Sequence, residues 1–183
     1  MGNTAKGTES RDVIGFLKGQ HEQIKGLFER VLAAAGQERA AAFSRLKDLM
    51  SAHEAAEEEI VHPAAERALP GGPTEVAARV KEEIEAKTAL ATLQKLDVSS
   101  DEFETKFRML QKAVLAHAKS EEKEEFDKLA DKLDDKQLKE MRQAVQAVEA
   151  EAVARAGSAT PRGAGAPNGS GAGRMQHAPH GKE

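Results

Sequence analysis

The sequence predicts an all-α protein: an up-down-up-down four-helix bundle with an additional C-terminal helix and a disordered tail. Three observations predict it. Alanine, glutamate, lysine and leucine dominate, while aromatic residues make up only 3% of the 183 positions, a composition that favours helix over strand. Apolar residues recur every three or four positions over segments of 20 to 30 residues, the period of an amphipathic helix. The breaks between those segments are short, which suits antiparallel neighbours.

The first helix is expected from about Ser10, a plausible N-cap, to Ala35, with Gly36 just past its end. Its apolar stripe reads Val13, Leu17, His21, Ile24, Phe28, Val31. The second runs from about Gln37 to Leu69 with the stripe Leu46, Met50, His53, Glu57, Ile60, Ala64, and the LPGGP turn ends it. Pro63 should kink or end this helix near His62. The third spans about Thr74 to Leu96, with Val76, Val80, Glu83, Lys87, Leu90 and Leu93 on one face.

A capping box of Ser99 and Glu102 should open the fourth helix, which is expected over about Ser100 to Leu133. Its stripe reads Phe103, Phe107, Leu110, Val114, His117, Glu121, then Glu124 or Glu125, then Lys128 or Leu129. A fifth helix is expected from about Asp135 to Arg155. The domain is thus placed at residues 10–155. From Ala156 onward the Gly/Ala/Pro/Ser-rich composition cannot build a core, and residues 156–183, with His177 and His180, read as an unstructured tail.

The polar residues inside the apolar stripes carry the chemistry. His53 and Glu57 stand four apart, as do His117 and Glu121, so each pair aims an imidazole and a carboxylate into one space. His21 and Glu83 occupy interior slots at similar depth on two other helices. The chain also repeats itself. His21 precedes His53 by 32 residues and Glu83 precedes His117 by 34, as two similar αα-hairpins about a pseudo-twofold axis would require.

A lone histidine on an apolar face is ordinarily a hydrogen-bonded core residue. Six such residues converging are different, because each unpaired buried carboxylate costs several kcal/mol against a net stability of about 5–15 kcal/mol. A cation must offset them. Lys87 alone lies near, and its stem can carry the charge outward. Two divalent cations would bring four positive charges against Glu57, Glu83 and Glu121. Imidazole and carboxylate without thiolate suits iron or manganese, with zinc less fitting. His62, nine residues after His53, points half a turn away on an ideal helix, and its counterpart in the second hairpin is Phe126. It reads as filling the end of the bundle, with ligation as the alternative if Pro63 redirects it. Glu54 and Glu58 read as flanking or solvated residues, and Glu82 as a substitute for Glu83.

The segments QHEQIKGLF, SAHEAAEEEIVHP, KEEIEAKTALATL and LAHAKSEEKEEF together resemble the hemerythrin HHE cation-binding domain family, in particular its bacterial single-domain members. The resemblance covers about Asp12 to Leu129. It implies a four-helix bundle around two iron ions, oxo- or hydroxo-bridged, with Glu57 and Glu121 as bridging carboxylates and His21, His53 and His117 as terminal ligands. The third helix of the family supplies one or two histidines; here it has none, and Glu83 falls where the first would be. A carboxylate there lowers the redox potential and disfavours a purely reversible oxygen carrier.

The function expected is binding of, or reaction with, a small oxidant: oxygen, peroxide or nitric oxide. An enzymatic version would be catalase-like. A non-enzymatic iron, oxygen or redox sensor is the alternative. A net charge of −4 leaves no electrostatic footprint for nucleic acid or an anionic membrane. The absence of cysteine excludes disulfides, thiolate metal sites and thiol nucleophiles. There is no phosphate-binding loop, nucleophile elbow or dinucleotide turn. No apolar segment resembles a signal peptide or a membrane span, so the cytoplasm is the expected compartment.

Overall fold

The computed structural model describes residues 12–158, all of them helical apart from short connections. The first helix, α1, spans Val13–Ala33. The second rod is composite: α2 (Gly36–Ala56), a π-helical turn (Glu57–Val61) and α3 (His62–Ala68). Helix α4 is Gly72–Leu93. The fourth rod repeats the composite design: α5 (Asp101–Glu121), a second π turn (Glu122–Phe126) and α6 (Asp127–Lys132). Helix α7 runs Asp135–Ser158 and packs on α1, α2 and the first π turn. The four predicted rods and the fifth helix are thus present. Residues 159–183, most of the predicted tail, lie outside the described residues, and helix continues through Ala156 to Ser158.

Several local expectations need correction. Asp12 caps α1, its Oδ1 accepting from Gly15 N at 2.9 Å; Ser10 lies outside the described residues. Gly36 is not the end of α1, which closes at Ala33 with an extended Ala34; with φ +52° it opens α2. Ser100, not Ser99, caps α5, accepting from Phe103 N at 3.1 Å. Both hydroxyls donate to Asp97, Ser99 to its carboxylate and Ser100 to its carbonyl, each at 2.7 Å, but only the Ser100 oxygen is placed to accept from Phe103 N. The Leu69–Pro73 turn depends on glycine twice. Gly71 takes φ +79°, and a Cβ on Gly72 would stand 2.5 Å from the Ala65 carbonyl oxygen.

Pro63 does follow a helical irregularity, the first π turn. The second π turn occurs at nearly the same point of the repeat, where Asp127 stands in place of Pro63. The proline is therefore not required for it. What both turns share is their start at the end of an H-x-x-x-E pair, the first at its glutamate, Glu57, and the second one residue beyond Glu121.

The core is layered. One apolar cluster gathers Phe28, Phe43, Leu46, Leu93, Phe103 and Phe107 among others, with rings edge-on, tilted or stacked 5.1 to 5.9 Å apart. A second gathers Val13, Leu17, Val61, Phe126, Leu129 and Val145. Between them lies a polar layer: His21 separates Leu17 from Ile24, His53 separates Met50 from Ala56, and Glu83 separates Val76 from Ala86. The two apolar layers supply the burial that drives folding, and they close the polar layer from above and below.

Candidate metal centre

All six residues singled out from the sequence lie in this polar layer. Ligand atoms of His21, His53, Glu57 and Glu121 lie within 4.8 Å of one another, as do those of Glu57, Glu83 and His117. A third group joins His62, Glu121 and Glu125. Glu57 is shared by the first two groups and Glu121 by the first and third. Glu57, Glu83, Glu121 and Glu125 are all at most 2% exposed.

The histidines are oriented from behind. His53 Nδ1 lies 2.8 Å from Gln20 Oε1, and the Gln20 amide donates to Glu149 Oε1 of α7 at 2.7 Å. That second bond fixes which end of Gln20 faces the ring, so Nδ1 carries the hydrogen. Burial, reinforced by nearby His21, lowers the His53 pKa to about 4, so the ring is neutral. A neutral imidazole protonated at Nδ1 has a bare lone pair at Nε2. That lone pair sits 2.9 Å from Glu57 Oε1. His117 repeats the arrangement: Nδ1 lies 2.8 Å from Glu82 Oε2, and Nε2 faces Glu121 Oε2 at 3.7 Å. His21 Nδ1 donates to Glu122 Oε1 at 2.8 Å, while its Nε2 lies 3.1 Å from His53 Nε2 and 3.3 Å from Glu121 Oε2.

All three rings therefore turn Nε2 toward one space, and the carboxylates facing that space are short of donors. Both oxygens of Glu57 and of Glu121, and one each of Glu83 and Glu125, have no hydrogen-bond partner among the described residues. Buried lone pairs facing buried lone pairs repel unless a Lewis acid or a proton lies between them. Without a cation, protons take that place. Burial pushes Glu57 up to about 8, and burial together with Glu57 pushes Glu121 up to about 7. Burial alone would lower His21, but hydrogen bonding and attraction from Glu121, then attraction from Glu57, raise it to about 9. The donor set and its unmet oxygens fit divalent cations.

His62 departs from the sequence reading. It is 2% exposed and faces the layer, with Nε2 2.7 Å from Glu83 Oε1 and Nδ1 3.0 Å from Glu125 Oε1. The π turn is the physical reason. One residue beyond the regular α-helical count rotates everything after it by about 100°, which swings His62 from the far side toward the cluster. Burial works against its charge, but the bonds to Glu125 and Glu83 raise it to about 11, so it is an imidazolium holding two carboxylates. Sequence reasoning misses Gln20, reads Glu54 as flanking or solvated, and leaves Glu125 as one of two stripe candidates with Glu124, of which the structure buries Glu125. Glu54 is buried beside Lys87, and burial raises it to about 8; Lys87 also bonds to Glu58. Glu82, read from sequence as a substitute for Glu83, instead orients His117, and Gln20 could have been found from the repeat, since it precedes His21 as Glu82 precedes Glu83.

A model of the hemerythrin HHE cation-binding domain matches residues 12–129. The chain belongs to that family. Among solved structures, a hemerythrin HHE cation-binding domain-containing protein from Mycobacterium kansasii matches with a TM-score of 0.71. The two are 23% identical over 80% of this chain and 90% of that one, a likeness that speaks for the fold. No curated protein matches. As an HHE-family member the chain carries a cation-binding domain, and the buried His/Glu layer is where this member's donors converge. Helix α7, whose Glu149 fixes Gln20, lies beyond the matched span. Among the described residues no helix is long and apolar enough to cross a membrane.

Proposed function

We propose that this HHE domain binds two iron ions in the buried layer and that the pair binds or reacts with a small oxidant: oxygen, peroxide or nitric oxide. The observation that carries this reading is the convergence of three Nε2 atoms on carboxylate oxygens that lack donors. His21, His53 and His117 would be terminal ligands. Glu57 and Glu121, each shared between two groups of donors, would bridge, and Glu83 would complete the set. Four carboxylates, with His62 charged, suit two divalent cations better than one. When bound, a redox-active pair supplies electrons to an oxidant and takes them back.

The chain's own residues do the rest. Gln20 and Glu82 hold the tautomers of His53 and His117. His62 holds Glu83 and Glu125 in place and keeps a proton inside the layer. The apolar layers above and below shield the cluster on those two sides. Manganese and zinc are the less fitting occupants.

Expression with iron, followed by elemental analysis and a spectrum, tests this reading. About two irons per chain are expected, with near-ultraviolet charge-transfer bands. The chain has no Trp or Tyr to obscure them. Reduction should bleach the bands, and oxygen or peroxide should restore them. Oxygen evolution from peroxide would assign a catalase-like activity. Absence of bands in protein loaded with iron would overturn the redox reading.

One observation favours the sensor alternative. Glu149 reaches the cluster through Gln20 and His53, so a change of metal state has a direct mechanical path into α7. Iron-dependent protection of α7 amides from hydrogen exchange, without turnover of any oxidant, would select that reading.

A further inference from the structure

The polar layer opens into a cavity of about 560 Å³ between α4 and α5. Its inner end is formed by Glu57, Glu83 and His117. Its walls include Met50, Ala86, Ala89, Leu110, Ala113 and Val114, and Met109, 68% exposed, stands at its lining too. A water molecule occupies about 30 Å³ of liquid, so a diatomic or hydrogen peroxide would use a small fraction of this space. The volume falls in the range of sites for organic molecules, about 300–1,000 Å³.

The internal repeat explains why the cavity exists. Aligning His21 with Glu83 pairs Ile24 with Ala86 and Leu27 with Ala89. Aligning His53 with His117 pairs Leu49 with Ala113 and Met50 with Val114. At each of these positions the second hairpin carries the smaller residue. The first hairpin packs its seam with bulky side chains, while the second leaves room beside the cluster.

Charge narrows the occupant. Glu54 and Glu82 line the cavity but each has a cationic neighbour, Lys87 at 3.8 Å and Arg79 at 2.9 Å. The carboxylates of the cluster would be compensated by the metal ions, and on this point the inference rests on the proposed function. Lys106 in the lining reaches Glu102 at 3.7 Å, and Glu85 in the lining reaches Lys81 at 3.9 Å. No uncompensated charge is left to recognise an ion, while apolar walls reward burial of an apolar body.

We propose that the α4–α5 cavity is a binding site for a compact, neutral, apolar organic molecule, held against the His/Glu cluster.

The test uses the full chain loaded with iron and two fluorescent probes sharing one skeleton: neutral N-phenyl-1-naphthylamine and its anionic relative 8-anilino-1-naphthalenesulfonate. Saturable binding of the neutral probe is expected, at least tenfold tighter than the sulfonate. Ala86→Ile with Ala89→Leu, which restores the residues of the first hairpin, should weaken the neutral probe at least tenfold while iron content stays unchanged. Ala113→Leu, at an exposed position that folding tolerates, should weaken it in the same direction. Failure of the neutral probe to bind, equal binding of the sulfonate, or undiminished binding by folded variants would each overturn the proposal. Protein that binds the probe but no iron would overturn the diiron reading instead and leave the cavity site standing.

Discussion

The two hairpins of this bundle follow one plan and differ at a few positions, and the differences locate the chemistry. In the first hairpin His21 stacks on Phe126, ring centroids 5.6 Å apart and nearly parallel. At the pseudo-equivalent places in the second, Glu83 meets His62 at 2.7 Å. Position 21 corresponds to 83 and position 126 to 62, so each cross-hairpin pair contains one imidazole. The histidine that the third rod lacks is present, moved across the axis to position 62. Likewise Gln20 orients His53 and Glu82 orients His117, with a neutral amide on one side and a carboxylate on the other. The lesson is that symmetry conserves the geometry of the layer while the residue types break it into two unlike halves.

The largest expected effect comes from the residues shared between donor groups. Glu57→Gln and Glu121→Gln should each reduce iron from about two per chain to near zero, while the metal-free proteins melt higher than the parent because a buried carboxylate has been neutralised. Elemental analysis and thermal melts report both. Loss of only one iron from either variant would show that the carboxylate serves a single ion.

The swap between positions 62 and 83 can be broken and repaired. His62→Phe leaves Glu83 and Glu125 without their cation and should destabilise the metal-free protein by about 3–5 kcal/mol. Adding Glu83→His makes the second pair a copy of His21 with Phe126 and should recover much of that loss. Chemical denaturation of the two variants decides it, and a double variant no better than the single would dissolve the proposed equivalence.

Protonation offers a third test. Glu54 and Glu57, raised to about 8, and Glu121, raised to about 7, bind protons more tightly folded than unfolded. So does His21, raised to about 9. Metal-free protein should therefore lose stability as pH rises from about 6.5 to 9. His53, lowered to about 4, acts in the opposite sense only below about 6.5. Bound metal replaces the protons on Glu57, Glu121 and His21, while Glu54 and His62, the latter raised to about 11, keep theirs, so the loaded protein should show a shallower slope across the same window. Melting temperatures at matched pH measure it; parallel profiles would mean that these groups do not meet the metal.

The smallest effect concerns the orienting residues. Gln20→Ala and Glu82→Ala should each weaken metal binding about 10–100-fold, and unequally. Glu82→Ala removes a charge and should have the greater effect, while Glu82→Gln, which keeps an acceptor, should recover part of the affinity. Chelator competition gives the constants. Equal losses would mean that the charge difference between the two hairpins does not reach the metals.

The sequence by itself determined the helical class, the four long rods and the fifth helix, because a period of 3.6 over 20 or more residues has one structural solution. It also brought the six layer residues to light, since an imidazole or carboxylate in an apolar stripe is conspicuous and the repeat doubles the signal. Tertiary structure alone decided the remainder. Whether Ser99 or Ser100 caps α5 depended on which hydroxyl the turn sets beside Phe103 N, since both donate to Asp97. His62 could not be read from the chain, because ideal helical geometry points it away, and only the π turn after Glu57 brings it back. Glu54 looks like a solvated residue, and Glu125 cannot be told from Glu124, until packing closes over them. The cavity beside the cluster was invisible as well: small residues signal empty space only once the elements that fail to fill it have been placed against each other.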